Sequence, residues 1–118
     1  MQSQIYLSGR LVAQAELSQN KKGKLIVKLL LETELVRPTT QGAFQAEAVT
    51  IPVSFFSREA EAVRECQPGD YLVIGAHLYG TRFEAPDGSV KRGVQIVADQ
   101  ILQRANRMKE VYNDSPRT

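Results

Sequence analysis

Phe83 directly follows Arg82 and lies four residues after Tyr79, while Lys91 and Arg92 return across a Pro86-Asp87-Gly88 turn. Rings beside fixed cations grip two things at once. Flat π-systems stack on the rings, and anionic groups pair with the Lys and Arg heads. Charge elsewhere is unevenly spread. Six basic residues (Arg10, Lys21, Lys22, Lys24, Lys28 and Arg37) stand between positions 10 and 37 against three acids, whereas segment 57–70 carries four acids and two bases. A fold that gathers the first group on one flank would steer a polyanion to that side. Basic residues interleaved with aromatics are the footprint of a groove for a nucleic-acid strand.

Other chemistries lack their parts. One histidine (His77) and one cysteine (Cys66) cannot complete a Cys/His zinc set. The sequence has no nucleophile elbow, no P-loop and no GxGxxG motif. A non-enzymatic domain with no cofactor and no metal is therefore expected. Cys66 has no partner for an internal disulfide. No apolar run exceeds four residues, and the opening Met1-Gln2-Ser3-Gln4 resembles no secretory leader. A cytoplasmic location and no membrane partner are therefore expected. At 118 residues it is long enough for one domain with a real core. Its net charge of +2 is too small by itself to imply a nucleic-acid ligand.

The elements that must position these residues follow a period of two. A long first strand is expected from Ile5 to Leu17, with its odd positions buried and Gly9 serving a bend. After the charged loop Ser18–Gly23, a second strand runs from about Lys24 to Leu35. Leu25, Val27, Leu29, Leu31 and Leu35 face inward, while Ile26 and Leu30 on the polar face hint at a subunit contact. A third strand spans about Phe44 to Phe56, with Val49, Ile51, Val53 and Phe55 inward and Thr50, Pro52, Ser54 and Phe56 outward. Pro52 cannot donate to a ladder, which predicts irregular or edge character there. Ser57–Cys66 reads as the one helix, capped by Ser57, with Glu59 and Glu61 in its first turn. Pro68-Gly69-Asp70 stops it. The fourth strand follows from Tyr71 to Phe83, with Leu72, Ile74, Ala76 and Leu78 inward and Val73, His77, Tyr79, Thr81 and Phe83 outward. A turn at Ala85–Gly88 leads to a fifth strand, about Val90 to Leu102. Arg104 to Tyr112 is expected to add a short helix, and the last residues to be loose. The class is all-β with a small α contribution: a five-stranded OB-fold Greek-key barrel with one helix between strands 3 and 4. The barrel occupies residues 1–103, and 104–118 form a short polar tail.

The opening Ile5-Tyr6-Leu7-Ser8-Gly9-Arg10-Leu11 resembles the first strand of bacterial single-stranded DNA-binding proteins, with its hydrophobic-x-Gly-Arg-Leu pattern. Val53-Ser54-Phe55-Phe56, the alanine- and glutamate-rich helix and the Pro-Gly-Asp turn are similar to that family's third strand, helix and turn. Ile74 to Phe83 and Gly93 to Ala98 resemble its last hairpin. Together these segments span roughly residues 4 to 103. Primosomal replication protein B, a small dimeric relative of the same fold, is a close second resemblance.

The resemblance implies a homodimer or homotetramer that binds single-stranded DNA with little sequence preference, in replication, recombination or repair. RNA is an alternative strand. It places the aromatic ending the fourth strand on Phe83, and the one ending the third on Phe55 or Phe56. Alternation selects Phe56 as the exposed one. Tyr79 and Arg82 stand beside Phe83. Arg10, Lys21, Lys22, Lys24, Lys28, Lys91 and Arg92 supply the phosphate contacts. Tyr6 reads as an interface or cross-strand residue, His77 as a surface or interface residue, and Cys66 as a small buried one. The family's remaining stacking positions, often tryptophan, fall near Thr50 and in the second strand, yet this sequence has no Trp. The tail, with four basic residues and two acids, differs from the family's acidic, phenylalanine-tipped end. A specialised plasmid-, phage- or primosome-type member is expected. The competing reading is an OB-fold interaction module of a primosome-like or other complex, with weak or no DNA binding.

Overall fold

The structure, a computed structural model, describes residues 4–105. Its strands are β1 (Gln4–Leu11), β2 (Glu16–Gln19), β3 (Leu25–Pro38), β4 (Phe44–Phe56), β5 (Tyr71–Glu84) and β6 (Val90–Ala105). A single helix among the described residues, α1 (Ser57–Val63), lies between β4 and β5. Antiparallel pairing links β2 to β3, β3 to β4, β5 to β6, and β1 to both β3 and β5. The circuit closes where β4 runs parallel to β6, with Ser54 opposite Val97 and Phe55 opposite Ala98. This is the OB barrel. It has six strands rather than the expected five because the first is broken at residues 12–15.

Alternation builds the core. Val27, Leu29 and Leu31 on β3, Val53 and Phe55 on β4, and Leu72, Ile74 and Ala76 on β5 fill the barrel. Ala60 and Val63 of α1, with Cys66 just beyond it, join the same core. Gly9 sets the seam. A Cβ there would stand 2.8 Å from the Glu32 carbonyl oxygen and 3.2 Å from Leu31 Cβ, so only glycine lets β1 close on β3. The Pro-Gly-Asp turn is stitched to the same strand end. Leu11 N–H donates to the Asp70 carbonyl (2.8 Å), and Gly69 N–H donates to the Leu11 carbonyl (2.7 Å).

Two hairpins outrun the barrel. In β3–β4 the ladder continues to Pro38↔Phe44, and in β5–β6 to Glu84↔Val90. At 3.3 Å per residue, each overhang is about 20 Å long. The Cα radius of gyration, 17.0 Å, exceeds the roughly 13 Å of a compact domain of this size.

These overhangs explain several departures from simple alternation. Leu35 and Leu78, expected inside, are exposed because they sit where their strands have left the barrel. Leu17, also expected inside, is exposed on β2, which pairs only with β3. Ser54, expected outward, is buried because β6 closes against it and Gln95 Nε2 donates to its Oγ at 3.1 Å. Pro52 keeps its place in the ladder, opposite Leu30, on a stretch of β4 that β6 does not reach.

The helix differs in detail. Phe56 occupies the N-cap position without a side-chain cap bond, so Ser57 does not cap it. Ser57 is instead the first helical residue, in the left-handed region at φ 53°. Glu59 stays in the first turn, while Glu61 pairs with Arg64 at 3.2 Å. Arg104, expected to begin a helix, continues β6 opposite Leu72, and its Nη1 donates to the Ala62 carbonyl at 3.0 Å. The rest of the expected terminal helix and tail lies outside the described residues.

Candidate nucleic-acid interface

Ring by ring, the β5–β6 arm presents its aromatics to solvent. Phe83 is 62% exposed and Tyr79 45%. Phe83 lies opposite Lys91, Thr81 opposite Gly93, and Tyr79 opposite Gln95. Directly opposed residues share a face, so these six form the front of the arm. Gly93 keeps that front open, since a Cβ there would meet Thr81 Oγ1 at 2.9 Å. Arg82 does not join them. As the immediate neighbour of Phe83 it points to the reverse face, opposite Arg92. The expectation that Arg82 stands beside the two rings is corrected by this register: Lys91 is the cation that accompanies Phe83.

The front of the arm continues onto the barrel wall. Gln95 reaches Ser54, Ser54 lies opposite Lys28, and Pro52 lies opposite Leu30. A groove of about 500 Å³ follows this junction, lined by Lys28, Pro52, Ser54, Thr81, Val94, Gln95 and Ile96. Its lining holds one cation and no acid. Further along the same outer face, Phe56 lies opposite Ile26. Phe55 is completely buried, as expected, while Phe56, expected exposed, is half-buried and so is the more accessible ring of the two.

Beyond Ile26 the outer face reaches Lys24 and the β2–β3 loop. Asn20 organises this loop by accepting from the Lys22 and Lys24 backbone N–H groups, each at 2.9 Å, and Gly23 supplies the left-handed turn. Lys21, Lys22 and Lys24 are exposed and form no ion pair among the described residues. Lys28 is exposed too. The other loop, at the arm tip, is held by Asp87, whose Oδ1 accepts from Ser89 Oγ (2.7 Å) and Ser89 N–H (2.9 Å). Those bonds hold the Asp87 carboxyl below its ordinary range.

A second cavity, about 590 Å³, opens farther along β3, where Glu32 and Glu34 continue the pleat face of Lys28 and Leu30, between Ser8, Gly9, Arg10, Glu32, Thr33, Glu34, Ala48 and Tyr71. Arg10 is here, 3.0 Å from Glu32. Two carboxylates against one guanidinium give this cavity a net negative lining, unlike the first groove.

Sequence reasoning missed three features. Asp99, in a β6 bulge where the ladder skips from Gln100↔Gly75 to Ala98↔Ala76, sets its carboxylate against His77 Nδ1. A polar Asp-Gln pair in the middle of an apolar strand was the available signal. Phe44, 74% exposed at the β3–β4 arm, was placed in a strand but given no role. Val94 is 67% exposed on the other arm. Cys66 is buried as expected, and burial pushes its thiol up against the opposing pull of Arg104.

The profile of the Single-strand binding protein family matches residues 2–103. No curated protein sequence matches. Among solved structures, a deletion variant of the single-stranded DNA binding protein from Thermus aquaticus is similar with a TM-score of 0.73 at 20% identity, over 90% of this chain and 51% of that one. The chain thus spans about half the length of that protein. The Plasmodium falciparum SSB in complex with ssDNA is similar with a TM-score of 0.66 at 13% identity, over 85% of this chain and 94% of that one. At these identities the likeness concerns the fold. No helix among the described residues is long and apolar enough to cross a membrane.

Proposed function

The chain belongs to the single-strand binding protein family, and from that premise we propose that it binds single-stranded DNA with little sequence preference along the outer face just described. One observation carries the reading: Lys28, Phe56, Ser54, Gln95, Tyr79, Phe83 and Lys91 share one outer face whose groove contains no acid. OB barrels bind oligonucleotides on the face of their second and third strands and on the loops at either end. Those strands are β3 and β4 here, and the loops are 20–24 and 85–89.

The physical division of labour is simple. Bases stack on Phe83, Tyr79 and Phe56, at about 1–3 kcal/mol for each base engaged, and every base offers a π-face. Phosphates pair with Lys21, Lys22, Lys24, Lys28 and Lys91 and release counterions. Arg10 is left off this path because Glu32 already matches its charge. The fit to a single strand over a duplex follows from the rings, which need unpaired bases to stack on.

The binding unit is the barrel, whose last strand runs through Arg104 to Ala105 rather than ending at 103. The protein works without catalysis, protecting or presenting the strand in replication, recombination or repair. It acts in the cytoplasm as a homodimer or homotetramer, with Tyr6, exposed on the outside of β1, and Leu30 as candidate contact residues.

Photo-cross-linking to a thymidine oligonucleotide, followed by peptide mapping, tests the path. Adducts on Phe83, Tyr79 or Phe56 are expected. Adducts confined to Tyr6 or Phe44 would move the strand to another surface.

A further inference from the structure

Arg82 and Arg92 stand directly opposite one another on the reverse of the β5–β6 arm. Neither forms an ion pair among the described residues. Like charges directly opposed in a ladder destabilise it, and a guanidinium cannot relieve the repulsion by losing its proton. Glu84 is the one acid on that face of the arm. It lies opposite Val90 and pairs with neither arginine. Two fixed, uncompensated cations on a projecting ribbon form a site that wants an anion, and the guanidinium fork suits the two free oxygens of a phosphodiester.

The route to that site is open. In the arm, β6 has β5 on one side only, because β4 reaches β6 solely at Val97 and Ala98. Lys91 points to the front and Arg92, the next residue, to the back. Cationic heads therefore line both sides of one free strand edge. Val94, two residues along from Arg92 on the same edge strand, is exposed and also borders the groove on the front.

We propose that the reverse face of this arm is a second phosphate-binding site, filled by the same single strand after it crosses the β6 edge. This deepens the DNA-binding reading and rests on it. The strand grips the arm on two faces: rings and Lys91 in front, the arginine pair behind.

The test compares the wild-type chain with an Arg82→Ala/Arg92→Ala variant on thymidine oligonucleotides of about 6 and about 20 nucleotides, lengths that bracket the span of an OB fold. The loss of affinity should grow with length, reaching about tenfold for the longer strand, and its salt slope should fall by about 1.4, the value for two lost phosphate contacts on a single strand. The variant should melt no lower than the wild type, since it removes a repulsion. Equal, small losses at both lengths with an unchanged slope would overturn the site and assign the arginine pair to an acidic protein partner instead. Failure of the wild type to bind either oligonucleotide at low salt would overturn the DNA reading itself, a separate outcome.

Discussion

Phe83 stands directly opposite Lys91 across the β5–β6 ladder, with its ring 62% exposed. That pair puts a stacking surface and a cation on one projecting face, clear of the barrel core. Phe55, on β4, is fully buried. The contrast sets the first prediction. Phe83→Ala should weaken oligonucleotide binding by about tenfold, within the 1–3 kcal/mol of one stacked base, and leave the melting temperature unchanged. Phe55→Ala should instead cost about 3–5 kcal/mol of stability. Melting curves and a binding titration on both variants separate the two roles.

Gly9 admits no side chain. Its missing Cβ faces the Glu32 carbonyl at 2.8 Å, and the strands there carry the barrel closure. Gly9→Ala should destabilise the fold by about 1–3 kcal/mol, the cost of forcing an extra carbon into a packed seam. Denaturant unfolding reads it directly. An unchanged midpoint would mean that β1 does not press on β3 as described.

How much of this was legible in the sequence depends on whether a local rule survives the barrel. Alternation alone identified Val27, Leu29, Leu31, Val53, Phe55, Leu72, Ile74 and Ala76 as core, and the structure buries all of them. The same rule failed for Leu35 and Leu78, because period two reports a face and not whether anything covers it. Two strands of fourteen residues run past a barrel that uses only part of them. The candidate site shows the converse. Adjacency in sequence suggested Arg82 as the partner of Phe83, but neighbours in a strand point apart, and the true partner, Lys91, lies eight positions on. The break that splits the first strand, and the β6 bulge that turns Asp99 toward His77, arise from closing the sheet and left only weak marks in the sequence.

On the proposed path, the lysine loop should carry a share of the salt dependence. Lys21, Lys22 and Lys24 are exposed and, among the described residues, unpaired. Reversing all three to Glu should lower both affinity and the steepness of its fall with salt, by about 0.7 for each phosphate contact removed. An unchanged slope with a folded variant would exclude the loop from the phosphate path.

The arm tip should respond to acid. Ser89 Oγ and N–H both donate to Asp87, and these bonds hold its carboxyl below the ordinary range. A lowered folded value means that the bonded turn is fully favoured above the usual aspartate value of about 3.9 and is lost as the pH falls through the depressed one. The Ser89 amide resonance should therefore titrate below pH ~4. In an Asp87→Asn variant that titration should vanish. A wild-type Ser89 midpoint at or above the ordinary aspartate value would contradict the bonded turn.

The central claim is that one outer face supplies rings and cations together to a flexible polyanion. Titrating the chain with a labelled thymidine oligonucleotide at low and at moderate salt tests it most directly. The account predicts tight binding at low salt that weakens several-fold or more as salt rises, with a competing duplex displacing little of the strand. Absence of binding at low salt, or a duplex competing as well as the single strand, would contradict it.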